Sequence, residues 1–164
     1  MAILTYEELK SALIVVREGS PFYSQFLTDA FFVMYYSGCR PIELLDRSRW
    51  RFDANNVLFL QPAKGNSERI IPGQLWPTSF DGWVRGEDSS FRLVTYYSCR
   101  NLFNHLFPIK QTFIGNKAAD QYLFRHRFVK DLKIQGRTDQ QIMTDMGWSS
   151  PSLVNRYVNS VIYN

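Results

Sequence analysis

Cysteine is scarce in this 164-residue chain, with only Cys39 and Cys99 present. Nothing at the N-terminus resembles the apolar core of a secretory signal, so the pair is read as reduced thiols rather than a bridge. The CxxC and HExxH spacings that gather zinc are missing, and no metal or other cofactor is expected. The longest unbroken apolar run, residues 30–36, falls far short of the roughly 18 residues that cross a bilayer, so no membrane partner is expected and the chain reads as cytoplasmic. Seven Pro and nine Gly are too few for a collagenous or low-complexity chain. Internal repeats and charged tails are lacking as well. Acidic residues are outnumbered: fifteen Asp and Glu face nineteen Lys and Arg, a net charge of +4. The resulting pI near 9.1 is where nucleic acid becomes a reasonable partner.

What is present suits one globular domain. Hydrophobic residues make up 45% and charged residues 21%, and the length allows a sizeable core without a covalent staple. Thr5 with Glu8 forms a capping-box pattern, followed by Leu9, Leu13 and Val16 at helical spacing. Residues 21–37 form a stretch apolar on most sides, hence a buried helix, ending at Ser37-Gly38. Pro41 fits the first position of a further helix over residues 42–46. Val57-Leu58-Phe59-Leu60 and Arg69-Ile70-Ile71 flank the turn-forming Lys64-Gly65-Asn66-Ser67, which predicts a hairpin with Lys64 near its tip. Residues 73–89 start irregularly, with a short helix over 74–80 left open. Helices are predicted over 90–107, stopping at Pro108, and over 118–135, stopping at Gly136. Thr138 with Gln141 opens a short helix that ends at Gly147, and Ser150-Pro151 opens the last, which carries Tyr157. The fold class expected is α+β, mainly α, with one small antiparallel sheet.

Four stretches carry the chemistry: SGCRPIELL around Arg40, PAKGNSERIIP around Lys64, YLFRHRF around Arg125, and MGWSSPSLVNRYV ending at Tyr157. In this order and spacing they resemble the tyrosine recombinase (phage integrase) family, over its catalytic domain, from Leu4 almost to the C-terminus. The resemblance implies one catalytic domain over residues 1–164, with the family's N-terminal DNA-clamping domain absent. Arg40 matches the first family arginine in Gly-x-Arg-x-x-Glu, with Glu43 as its acidic support. Lys64 matches the hairpin lysine that protonates the departing 5′ oxygen. Arg125 matches the second arginine and His126 the residue that often follows it. Tyr122 stands where the family's His-x-x-Arg motif has histidine. Trp148 follows Gly147 where Gly-His is commonest, and Tyr157 lies nine residues later at the nucleophile's spacing.

A physical reason accompanies each match. At a helix N-cap, Arg40 joins unpaired N–H groups and a positive dipole end that favour a phosphate, and its planar fork can bind two oxygens. An ammonium at a hairpin tip is a competent acid for an alkoxide. Tyr122 can donate a hydrogen bond but, with a phenol's ordinary pKa near 10, accepts protons poorly at neutral pH. Adjacent helical residues do not share a face, so His126 is read as buried and structural. The Trp148 indole only donates. The resemblance implies site-specific cleavage and rejoining of double-stranded DNA through a 3′-phosphotyrosyl link, needing neither metal nor ATP, in a nucleoid-associated setting. Only seven residues follow Tyr157, which leaves homo-oligomeric assembly on DNA open. Two other readings stand beside this one: a DNA-binding module of the same fold without turnover, and a structural domain with Arg40 and Arg125 in ordinary ion pairs. The abundant aromatics, Trp50, Trp76 and Trp83 among them, are read as mostly core rather than a base-stacking platform. Arg47, Arg49, Arg51, Lys130, Lys133 and Arg137 are read as a solvated face.

Overall fold

Thirteen residues without a charge pair or a glycine, apolar on most sides, form helix α1 (Gln25–Ser37), and seven of them are buried. The computed structural model describes residues 7, 11, 14, 25–63, 67–73, 75–106, 112–114, 117–118 and 123–158. Among these, Glu7, Ser11 and Ile14 are helical; the predicted cap at Thr5 lies outside the described residues. Gly38 ends α1 at φ +66, and a side chain there would collide with the Phe128 ring, so both conformation and space demand glycine. After the extended Arg40, helix α2 (Pro41–Leu44) starts on its proline as predicted but stops earlier than residue 46.

A three-stranded antiparallel sheet follows, in the order β1-β2-β3, from β1 (Trp50–Phe52), β2 (Leu58–Leu60) and β3 (Arg69–Ile71). Trp50 faces Leu60, Phe52 faces Leu58, Leu58 faces Ile71 and Leu60 faces Arg69. The hairpin of β2 and β3 was expected; β1 was not, because no turn residues separate it from the preceding 3₁₀ turn, Arg47–Arg49. Helix α3 (Thr78–Val84) fills part of the segment left open. The helix expected over 90–107 is corrected: a 3₁₀ turn, Ser90–Leu93, breaks at Val94-Thr95 before α4 (Tyr96–Leu106). Thr95 and Ser98 exchange hydrogen bonds there, with Thr95 Oγ1 accepting from the Ser98 amide, which restarts the helix.

The helix expected over 118–135 is corrected too. Ala118 belongs to β5 (Lys117–Ala118), paired antiparallel with β4 (Thr112–Ile114), and α5 runs only over Leu123–Ile134. Helix α6 (Asp139–Met146) carries the predicted Thr138/Gln141 capping box and ends on a left-handed Gly147. Helix α7 (Pro151–Val158) starts on its proline and carries Tyr157. Among the described residues no helix is long and apolar enough to cross a membrane.

Two apolar clusters organise these elements. The larger joins α1, the sheet, α3 and α4 around Phe80, whose ring meets Trp50 edge-on at 5.1 Å and Phe91 at 5.2 Å. Trp50 is buried in this core, and Trp76 and Trp83 pack against it partly buried. The smaller gathers Val129, Ile142, Met146, Trp148 and Val154, with Phe128 and Tyr157 packed against it. Burying one phenylalanine contributes about 1.5–3 kcal/mol. An exposed ion pair such as Arg51–Glu68 contributes about 0–1 kcal/mol, so the rings, not the surface charges, hold the fold. Cys39 and Cys99 are free and buried.

Candidate active site

The turn after α1 begins the site. Arg40, extended at φ −73 and ψ 150, is the N-cap of α2, and its Glu43 three residues on folds back over it. Glu43 Oε1 accepts from the Arg40 amide at 2.7 Å; Oε2 accepts from Arg40 Nη1 at 3.1 Å and from the Ala63 amide at 2.9 Å. Burial alone raises the pKa of this fully enclosed carboxyl. The two amide bonds and the Arg125 and Arg40 guanidiniums outweigh that and hold it below its ordinary value. Glu43 thus stays ionised and binds Arg40 to the start of the hairpin loop.

Arg125 approaches from the other side, on the first turn of α5. Its Nη1 donates to the Gly38 carbonyl at 2.7 Å and lies 3.8 Å from Glu43 Oε1, while its Nε donates to the Tyr157 hydroxyl at 3.0 Å. Only 1% of Arg125 is exposed, so these contacts form in a low-dielectric setting where they count for more than in water. The same guanidinium carbon sits 5.6 Å from the Trp148 ring centre and 5.5 Å from that of Tyr157. Trp148 and Tyr157 stack at 5.1 Å and 24°. Trp148 follows Gly147, whose left-handed φ of +69 and crowding against the Ser67 carbonyl exclude a side chain. The Ser67 amide donates to the Gly147 carbonyl at 3.2 Å, which ties the hairpin to the Trp148 turn. Trp148 Nε1 is buried and has no hydrogen-bond partner among the described residues.

His126 departs from expectation in one respect. It leaves α5 in a different direction from Arg125, yet its ring lies 4.4 Å from that of Tyr157, because α7 packs across α5 and Tyr157 meets both residues. Burial first, then the Arg125, Lys130 and Arg156 charges, lower its pKa to about 4, so the imidazole is neutral at neutral pH. The structure therefore brings Arg40, Glu43, Arg125, His126, Trp148 and Tyr157 together. Lys64 and Tyr122 lie outside the described residues.

One member of the cluster escaped sequence reasoning. Arg69, at the start of β3, is 2% exposed. Its Nε donates to the Asp145 carbonyl at 3.0 Å and its Nη2 to the Ser37 carbonyl at 2.5 Å, while Nη1 has no partner among the described residues. Burial, followed by the neighbouring Arg125, lowers its pKa to about 10, which still leaves it charged at neutral pH. Three guanidiniums thus face one carboxylate. Cys39 adds no compensating charge, since burial pushes its thiol up to about 12. Among the described residues no group of three or more His, Cys, Asp or Glu gathers as a metal site would. A cluster of this sign, with buried N–H donors unpaired, is suited to a doubly charged oxyanion.

Neither a family profile nor any curated protein sequence matches the chain. Solved structures do. The XerA recombinase superposes with a TM-score of 0.57 at 15% identity, covering 97% of this chain and 61% of its own. The XerH site-specific recombinase, bound to palindromic difH substrate after cleavage, gives 0.61 at 12% identity, covering 98% and 49%. The Tn1549 transposon integrase, in complex with circular-intermediate DNA, gives 0.55 at 16% identity, covering 99% and 62%. The chain thus spans less than two thirds of each of these proteins. Its fold, a mainly helical domain with a small antiparallel sheet, is the tyrosine-recombinase-like fold.

Proposed function

We propose that the chain is the catalytic domain of a tyrosine-type site-specific DNA recombinase, which cleaves and rejoins double-stranded DNA through a 3′-phosphotyrosyl intermediate without metal or ATP. One observation carries this reading: the Tyr157 hydroxyl accepts a hydrogen bond from Arg125 at 3.0 Å, and Arg125 shares Glu43 with Arg40. The fold likeness to recombinases solved with DNA supports the choice of substrate.

In this scheme the phenol of Tyr157 gives its proton to solvent water as its oxygen bonds to phosphorus, and the bond from phosphorus to the 5′ oxygen breaks. Arg125 Nε–H stabilises the forming phenolate, which matters because Tyr122 in place of histidine is a weak proton acceptor. Arg40 and Arg125 hold the non-bridging oxygens as charge builds on them, with the Trp148 indole as an extra donor. Lys64 supplies a proton to the departing oxygen. The covalent link conserves the bond energy, so a DNA hydroxyl can reverse the step on the same or another strand. Assembly of several copies on DNA, in the nucleoid, belongs to the same proposal.

The test is covalent trapping. A pool of singly nicked duplexes of randomised sequence is incubated with the protein, and SDS-resistant adducts are isolated and sequenced. An adduct on the Tyr157 peptide that vanishes in Tyr157→Phe is expected. The presence of Tyr122 favours one alternative, a DNA-binding module without turnover; retention of duplex DNA with no adduct from any member of the pool selects it.

A further inference from the structure

The cluster holds more positive charge than its evident partners need. Arg40, Arg69 and Arg125 carry three charges against the single carboxylate of Glu43. Cys39 and His126 beside them add no charge: Cys39 is a thiol and His126 is neutral. Asp145 offers Arg69 only its backbone carbonyl, because its carboxylate is occupied by Arg137 at 2.9 and 2.7 Å. Leaving a charged guanidinium enclosed, with its Nη1 unpaired among the described residues, is costly unless something negative arrives. A phosphodiester brings one negative charge; its five-coordinate transition state brings two.

Position supports the same idea. Arg69 and Arg125 grip consecutive carbonyls, those of Ser37 and Gly38, at the very end of α1. Through Asp145 the same side chain reaches the end of α6, two residues before the Gly147-Trp148 turn. Arg69 therefore stands behind Arg125, bridging the segments that carry Arg40 and Trp148.

We propose that Arg69 is a positioning residue of the active site, a third cation that acts through Arg125 and the Trp148 turn to stabilise the negative charge carried by the scissile phosphate at the transition state. This rests on the recombinase reading above. The effect follows the charge that accumulates on the phosphate rather than DNA binding in general.

The test uses a duplex recovered by trapping, made with either a phosphodiester or an uncharged methylphosphonate at the scissile position. Adduct formation from free DNA is timed for wild type, Arg69→Gln and Arg69→Lys. The methylphosphonate transition state carries one charge fewer, so the ratio of the two rates reads the charge contribution and cancels losses common to both. One unit charge at roughly 8–10 Å through an effective dielectric of about 20 corresponds to about 15- to 30-fold. The phosphodiester-to-methylphosphonate ratio is expected to fall by that factor in Arg69→Gln and to stay near the wild-type value in Arg69→Lys. Equal losses on both substrates in Arg69→Gln, or a collapsed ratio in Arg69→Lys, overturn the proposal. If Arg69→Gln does not fold, citrulline placed at position 69, which keeps the planar shape and removes the charge, is read in its place with the same expected fall and the same overturning result. Should wild type itself form no adduct, it is the recombinase reading that fails.

Discussion

Replacing Glu43 by glutamine changes one oxygen for an NH2 group at the least solvated carboxylate among the described residues. Four donors converge there: the amides of Arg40 and Ala63 and the guanidiniums of Arg40 and Arg125. A glutamine oxygen can keep the Arg40 amide only by turning its NH2 toward Ala63 N–H and Arg40 Nη1, donor against donor. At least one buried donor is then unpaired, which costs about 1–3 kcal/mol. Removing the carboxylate that Arg40 and Arg125 share adds more, so the total belongs with other broken buried pairs at about 3–5 kcal/mol. The pH dependence has a definite sign. The folded pKa of Glu43 lies below the ordinary 4.5, so its contribution is complete above that value and is lost as pH falls through the lower folded one. Urea denaturation of wild type and Glu43→Gln at pH 7, and again at stepwise lower pH, measures this directly. The variant is expected to be less stable by about 3–5 kcal/mol at pH 7, with the gap narrowing once the wild-type carboxyl begins to protonate. A gap under about 1 kcal/mol at pH 7, or one that does not narrow in acid, refutes the view of Glu43 as the charged keystone of the cluster.

Two further predictions concern the rings around Tyr157. Trp148→Phe keeps a ring to stack on Tyr157 and deletes an indole N–H that has no partner among the described residues. Stability is expected to change by no more than about 1 kcal/mol, while the rate of covalent adduct formation falls by about 100-fold; an undiminished rate makes Trp148 a packing residue only. His126, with a folded pKa of about 4 against an ordinary 6.5, resists protonation when folded, so the stability it contributes is complete above 6.5 and is lost as pH falls toward 4. NMR titration is expected to show one of the two histidines with a midpoint near 4, absent in His126→Phe, and the variant's stability should decline less steeply across that interval. A His126 midpoint near 6.5 would contradict the burial seen beside Tyr157.

Three helix starts set by local chemistry were legible, though the one that Thr95 and Ser98 make was not. Pro41, Thr138 with Gln141, and Pro151 each open a helix where the sequence indicates, and Gly38 and Gly147 each follow one. Strands were less legible because three-residue strands carry little periodicity: β1 and the β4–β5 pair were not foreseen, and Ala118 was assigned to the wrong kind of element. Arg69 was missed for a related reason. In Arg-Ile-Ile the apolar residues suggest the inward face, yet Ile70 is 61% exposed while Arg69 and Ile71 are buried. The register held a signal: Leu60 faces Arg69 and Leu58 faces Ile71, so a buried Leu58 and Leu60 require the arginine to point inward with them. Convergence of Arg40, Arg125, Trp148 and Tyr157 was expected from family resemblance. Contacts such as that between Arg125 and Gly38, 87 residues apart, are set by tertiary packing that no local pattern encodes.

The carbonyls of Ser37, which ends α1, and of Gly38, which follows it, lend the cluster a property that no side chain provides. Peptide oxygens at a helix C-terminus bear part of the negative end of its dipole and do not titrate. Ser37 and Gly38 therefore keep hold of Arg69 and Arg125 at any acidity the fold survives, whereas the attraction of Glu43 is withdrawn on protonation. Acid strong enough to protonate Glu43, below its ordinary 4.5, should leave both guanidiniums oriented while making the pocket more cationic, so anion capture there strengthens before the framework itself gives way.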